Sequence, residues 1–347
     1  MGSANLHIPL HLPSTWLAMD MDMDMPLPLE LVLNIITCSL PAAPDALLDA
    51  SHPTTKLLLA FTLVCHETRR LACRYLRQHC VYLDHPRRLE AYMNLMPSRL
   101  ALGRITSLSL STLLMYDLES DLHICILLSN LFNSVSESLK KLVIDMPLST
   151  YFGPQDQDKH LALLRAGFEK LVNLEEVTSV QGELYLSIHW DEDEGHVWRC
   201  WPRLKLMSLG NAVLGQDFWR EVALHPSLQT LVVSGAKVFR NCNPKARYLR
   251  HSSRPLRVVV VADPDQRLGN SIGLWWGHHW ETMDPNSIMT VSEYIDPPGS
   301  RFAIYGDDRR ERLIKSGAED GSLWNLTGEV IPCLICLRDT RIDGTAA

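Results

Sequence analysis

The stretch that most constrains this chain is Leu27–Leu40, LPLELVLNIITCSL. Pro28 suits a first helical turn, where a missing N–H costs nothing. Glu30 in that turn favours the positive end of the helix dipole. Leu27, Leu31 and Ile35 recur every four residues, and Leu29, Leu33, Ile36 and Leu40 form a second apolar row. The spacing predicts a helix of about three turns that is apolar on nearly every side, and such a helix must be covered on two faces to exist in water. One cover can come from the chain's own domain. The other calls for a partner.

Beyond Leu40 the pattern breaks and then turns helical again. Residues 41–55 hold Pro41, Pro44 and Pro53 and read as a loop. Helical periodicity resumes at Lys56 and passes through the turn Leu63-Val64-Cys65. Leu71, Tyr75 and Leu76 continue an apolar face, while Arg69, Arg70, Arg74 and Arg77 make the opposite one and read as a solvated helix side. Val81-Tyr82-Leu83 reads as a short extended exit. The segments LPLELVLNIITCSL, LLLAFTLVCHETRR and HCVYLDHPRRL resemble the F-box of fungal F-box proteins, which are similar in carrying a Pro-rich insertion after the first helix. The resemblance implies a short all-α module docked on a Skp-family adaptor and, through it, on a cullin. It implies that Leu27, Pro28, Leu31, Ile35, Leu63 and Val64 face that adaptor. One departure stands out: Thr68 occupies a place where the family usually has a large aromatic, which implies a smaller contact.

From Ser98 onward the template L-x-x-L-x-L recurs with substitutions, as Ile105-Leu108-Leu110, Leu139-Leu142-Ile144, Leu204-Met207-Leu209, Leu228-Leu231-Val233 and Leu256-Val259-Val261. Leu174-Val177-Ser179 is a degraded sixth copy. The starts lie 34, 35, 30, 24 and 28 residues apart, against roughly 20–29 in leucine-rich repeats. Leu122–Val135 and His160–Leu171 between them show helical spacing. The expected class is therefore α/β: the short helical module, then a β/α solenoid that resembles irregular leucine-rich repeats. Leucine-rich β/α units also occur in other α/β folds. The Asn that usually comes after the repeat strand is absent, with Leu113, Ala212 and Ala236 in its place. The expected division is a leader over residues 1–25, the F-box-like module over 26–84, the repeat unit over 98–335 and a tail over 336–347. If the repeats hold a client protein, contacts are expected at exposed strand positions, with Ser109, Lys141, Gln229 and Arg257 as candidates.

Composition narrows the function classes. The net charge of −7 argues against nucleic acid as a partner. Apolar runs such as Ile124–Leu128 and Val258–Ala262 are too short to span a bilayer, and no basic residue precedes Lys56, so no secretory signal is expected. The nine cysteines are an odd number. Cys38, Cys65, Cys73 and Cys125 have apolar neighbours and are expected to be buried and reduced, which places the chain in the cytoplasm, the nucleus or both. Cys333 and Cys336 have C-x-x-C spacing within IPCLICL, an apolar run that reads as core.

Glu183–His189 alternates like a strand, and Asp191–Glu194 reads as a solvated turn. Trp275, Trp276 and Trp280 make the densest aromatic patch; the adjacent His278 and His279 point apart, which is poor geometry for chelation. Phe302–Tyr305 reads as a further strand and residues 307–315 as an exposed helix start. The chain has no G-x-x-x-x-G-K-[ST] loop, H-E-x-x-H, G-x-S-x-G or dinucleotide fingerprint. A non-catalytic chain without metal or cofactor is the expectation. Two other classes remain: an interaction scaffold whose N-terminal helices merely cap the repeats, and a hydrolase built on Cys65-His66, His79-Cys80 or Cys333.

Overall fold

The computed structural model describes residues 27–41, 46–95, 105–111, 118–146, 148, 157–182, 184, 186, 196–235, 243–262, 280–297, 299–302 and 308–330. Outside the described residues lie the 1–25 and 336–347 segments, Leu113, most of Glu183–His189, Asp191–Glu194, Ala236, Trp275, Trp276, His278, His279, Ala303–Tyr305, Cys333 and Cys336.

The chain opens with three helices, α1 (Leu29–Cys38), α2 (Pro53–Phe61) and α3 (His66–His79). Each start has a local cause. Pro28 is the residue before α1, and Pro53 opens α2, where His52 Nδ1 accepts a bond from Thr54 N–H at 3.1 Å. Cys65 and Thr68 form a capping box at the head of α3. Ile36, Leu58 and Ala72, one from each helix and all at 0% exposure, make the meeting point, with Leu33, Leu40, Phe61, Tyr75 and Leu76 packed around it.

The rest is one open sheet of nine strands in sequence order. These are β1 (Tyr82–Leu83), β2 (Ser107–Ser111), β3 (Lys141–Asp145), β4 (Glu176–Ser179), β5 (Leu206–Gly210), β6 (Thr230–Ser234), β7 (Leu256–Ala262), β8 (Met289–Ile295) and β9 (Glu329–Val330). All neighbours are parallel except β8 and β9. Between them run α4 (Pro86–Leu95), α5 (Leu118–Val135), α6 (Gln157–Phe168), a 3-10 turn at Val197–Cys200, α7 (Gln216–Leu224), α8 (Pro244–Leu249) and α9 (Trp280–Met283). α10 (Arg309–Asp320) and a 3-10 turn at Ser322–Asn325 precede β9. No described helix is long and apolar enough to cross a membrane.

Both faces of the sheet are covered. The connecting helices pack on one, where Leu108, Leu142, Met207, Leu231 and Val258 meet Phe132, Phe168 and Trp219. Trp201 spans the layers there, donating from Nε1 to Phe168 O at 2.7 Å. On the other face Val143, Val180, Val232, Val259 and Val261 pack against Leu313, Ile314 and Ala318 of α10 and Leu323 beyond it. Burial on both sides is why β7 reads LRVVVVA, a continuous apolar run rather than an alternation.

That run misleads any assignment by period. Leu231 pairs with Val258 and Val233 with Val260, so Val258 and Val260 occupy the template places expected of Val259 and Val261. The expected copy is out by one residue, because valine on both faces carries no parity. The other template residues lie as expected: Leu108, Leu110, Leu142, Ile144, Val177, Met207, Leu209, Leu231 and Val233 all face the connecting helices.

The missing Asn also has a replacement. Asp145 at the end of β3 accepts from Ser111 Oγ at 3.0 Å and from Gln181 Nε2 at 2.7 Å. Asn211 Nδ2 donates to Gln181 O at 3.3 Å, and its own N–H reaches Ser234 O at 2.7 Å. Ser111, Asp145, Gln181, Asn211 and Ser234 thus tie five strand ends in a row. Asn211 sits at φ 50°, a left-handed position that Asn tolerates well.

Four further expectations are corrected. The loop expected over 41–55 ends earlier, with α2 beginning at Pro53 rather than Lys56, and Ala46, Leu47 and Leu48 within it are buried at 2–5% exposure: Leu48 N–H binds His79 O at 2.7 Å, and Leu47 N–H binds Glu319 O on α10 at 2.8 Å. The helix expected to start within residues 307–315 is present as α10, but it is not exposed, since Leu313, Ile314, Gly317 and Ala318 are buried on the sheet. Of the four cysteines expected to be buried, only Cys125 is; Cys38 is exposed, and Cys65 and Cys73 are half-buried. No strand is expected from the pattern at Met289–Ile295, yet β8 there is one of the two longest.

Candidate docking surface

α1 turns by about 100° per residue, so its two apolar rows diverge. Val32 and Ile36 are buried, with Leu33 and Leu40 packed beside them. Leu27, Leu31 and Ile35 point to the other side and are 45%, 48% and 47% exposed. The same division holds further on: Leu58 is fully buried, while Leu63 and Val64, in the turn between α2 and α3, are 87% and 52% exposed. Pro28 is exposed as well. All six residues that the resemblance assigns to the adaptor face are therefore exposed.

The concentration is what marks the surface. Among the described residues fourteen large apolar side chains are well exposed, and seven of them fall between Leu27 and Val64. Leu57 and Leu59 are the two that periodicity alone does not single out. Fully covering a leucine-sized side chain contributes about 1.5–3 kcal/mol. The five exposed side chains of Leu27, Leu31, Ile35, Leu63 and Val64 thus offer a partner on the order of 5 kcal/mol of gross burial free energy. Exposed apolar side chains concentrated in one short stretch of chain make that stretch the candidate for an interaction surface.

Thr68 belongs to the inside of this module. It is fully buried, its Oγ1 accepts from Cys65 N–H at 3.1 Å, and it donates to Cys65 O at 3.0 Å. The absence of an aromatic at this place takes nothing from the outer face.

The candidate client residues divide differently. They are expected at exposed strand positions, and Gln229 is exposed. Ser109 and Lys141 are instead buried, at 0% and 2%. Arg257 is half-buried, donating to Trp324 O at 2.8 Å and to Leu326 O. The cause is α10 and the turn after it, which lie across this face. Lys141 pairs with Glu176 at 2.9 Å, and Ser109 Oγ points to Glu319 of α10 at 3.5 Å.

A polar cluster unseen in the sequence lies under α10. Lys315 Nζ binds Asp145 Oδ2 at 2.6 Å and Ser111 Oγ at 2.5 Å, and stands 5.6 Å from the centre of the Tyr82 ring. Burial pushes the Glu319 carboxyl up to about 7, against the opposing pull of Lys315, Tyr82 and Ser109. Nothing in the local sequence signals this, because its members come from β1, β2, β3 and α10.

The thiol–imidazole neighbours do not assemble a nucleophile and base. Cys65 Sγ contacts Thr68 Oγ1 at 3.5 Å, and hydrogen bonds from Thr68 draw its pKa down. His66 is 89% exposed and lies against Glu67. Burial pushes the Cys80 thiol up; it contacts Thr55 Oγ1 at 3.4 Å, while His79 Nδ1 is engaged with Ala46 O at 3.1 Å. Among the described residues no group of three or more His, Cys, Asp or Glu side chains could hold a metal.

Compared with known proteins, the chain matches no family model and no curated protein. The class its fold defines is an α/β protein with a sequentially ordered, mostly parallel sheet, led by three helices that leave several large apolar side chains exposed.

Proposed function

We propose that the chain is the substrate-recognition subunit of a Skp–cullin–F-box ubiquitin ligase. In this reading α1–α3 form an F-box on a Skp-family adaptor. The strands and connecting helices form an irregular leucine-rich-repeat-like solenoid that holds a client protein. The subunit makes and breaks no bonds; it raises the client's local concentration at the conjugating enzyme. Its place of action is the cytoplasm, the nucleus or both. The observation that carries the reading is that Leu27, Leu31, Ile35, Leu63 and Val64 stay open while the same helices close around Ile36 and Leu58. A helix buried on one side by its own chain and bare on the other needs a second protein.

The test is co-purification with the adaptor. Leu31→Asp with Ile35→Asp changes two residues about half exposed, so the fold persists. Loss of adaptor with an unchanged circular-dichroism spectrum is expected. Undiminished binding by the double variant ends the proposal. With Ser109 and Lys141 under α10, the client falls to the open positions such as Gln229 and to the turns at the strand ends.

A scaffold without a ligase role is the second reading, and one observation favours it. The helices are joined to the rest through β1, which pairs with β2, and through the Leu47 bond to α10, as a cap would be. Capping leaves the outward leucines without a purpose. A chain that is monomeric, soluble and indifferent to the adaptor would support the scaffold.

A further inference from the structure

α3 has an outer side as well as a packed one, and that side walls a half-open cavity of about 1010 Å³. Arg69, Arg70, Arg74 and Arg77 line it from the helix; Thr106, before β2, and Ser138, before β3, line it from across. Arg70 is held by Glu67 at 3.1 Å. Arg69, Arg74 and Arg77 have no carboxylate partner among the described residues; isolated arginines such as Arg220 lack one too, but here three lie on one cavity wall. A chain of net charge −7 has thus gathered unneutralised cations at one cavity. Like charges held together repel one another, and an anion between them converts that cost into attraction.

The shape says which anion. Arg70, Arg74 and Arg77 succeed one another at helical neighbour spacing and span about 10 Å along the axis, at about 1.5 Å per residue. Arginine forks match phosphate oxygens two at a time. The volume is at the upper end of small-molecule sites, which run to about 1,000 Å³. Among the described lining residues Leu71 is the only aliphatic one, and none is Phe, Tyr or Trp. The described lining is thus mainly cationic and polar, with His66 its one ring, and charge rather than apolar contact dominates what it offers a ligand. From these observations we propose that the cavity binds a compact small anion carrying several phosphates. The proposal stands on the cavity alone and does not use the adaptor reading.

The test is titration calorimetry of the full chain with inorganic tripolyphosphate at about neutral pH and about 0.1 M salt, where charges beyond roughly 10 Å are screened. Binding is expected, weakening as salt rises. Arg74→Gln with Arg77→Gln should raise Kd at least about tenfold, the factor that a single lost charge-assisted contact carries. Arg220→Gln, an exposed arginine on α7, should change nothing. Thermal melts of each variant establish that the fold is intact. ATP should bind no tighter than tripolyphosphate; ATP binding that is stronger and equally sensitive to Arg74 and Arg77 would keep the phosphate site and add a nucleoside to it. Absence of tripolyphosphate binding overturns the proposal. So does binding indifferent to the double substitution, sulfate binding as tightly, or a doubly phosphorylated peptide that binds where tripolyphosphate does not.

Discussion

Glu319 offers the sharpest test of how α10 is held. Its carboxyl faces Tyr82 of β1 and Ser109 of β2, with Lys315 one turn back on its own helix and Asp49 on the segment before α2. Burial is the largest influence and raises its pKa from 4.5 to about 7; Asp49 adds to the rise, and Lys315, Tyr82 and Ser109 oppose it. The folded chain therefore keeps this proton up to about pH 7, while the unfolded chain releases it near 4.5. Between those values the folded state binds more protons, so stability falls as pH rises. A shift of about 2.5 units at about 1.4 kcal/mol each sets a ceiling of about 3 kcal/mol. Glu319→Gln imitates the protonated form at every pH. The assay is urea unfolding of both chains from pH 4.5 to 8.5, read as the difference between variant and wild type so that other titrations cancel. The variant's advantage should be under about 1 kcal/mol near pH 5 and grow to about 3 kcal/mol at pH 8. A difference that is flat with pH would refute the reasoning: the carboxyl would then be solvated, and α10 would lie less closely on the sheet.

Two other predictions test the helical module by stability alone. Ile36→Ala removes a fully buried side chain and should cost about 2–5 kcal/mol, whereas Leu31→Ala should stay within about 0.5 kcal/mol of wild type; equal costs would mean that α1 is rotated about its axis. Thr68→Val keeps the shape of the side chain but leaves the Cys65 N–H without its acceptor and should cost about 1–2 kcal/mol. Thr68→Ser retains the oxygen and should cost less, and the reverse order in thermal melts would mean that the capping box contributes nothing.

How much of this was legible depends on what periodicity can carry. α1 was readable in both its rows because the helical period separates residues that point in and out, and the outward set could be named to the residue. The strands from β2 to β6 were readable because one apolar side recurs against a polar or small other side, as in SLSLS. β7 lost its parity because α10 buries its second face. α10 is legible as a helix start, but its burial is not, because only Leu313, Ile314, Gly317 and Ala318 face inward, among RRER, Lys315 and Glu319, and the partners of those charges lie about 170–270 positions earlier in the chain. Ser109 and Lys141 were misplaced for the same reason: no local pattern says that a distant helix will close over a strand.

This misplacement bears on the outer leucines of α1. A chain that lacks material can leave apolar surface bare by default. Here it does not lack material, because α10 brings Leu313, Ile314 and Ala318 to an already continuous sheet and covers the valines of β3, β6 and β7. Leu47, only seven residues from Leu40 at the far end of the first apolar stretch, joins that same cluster rather than folding back over Leu31 and Ile35. α10 and Leu47 are thus both committed elsewhere, while Leu27, Leu31 and Ile35 remain near half exposure. Hydrophobic burial at about 25 cal/mol per Å² would reward covering them with any free segment. Among the described residues their exposure therefore goes with how α10 and Leu47 are placed, and a surface left open in this way is what the proposed docking requires.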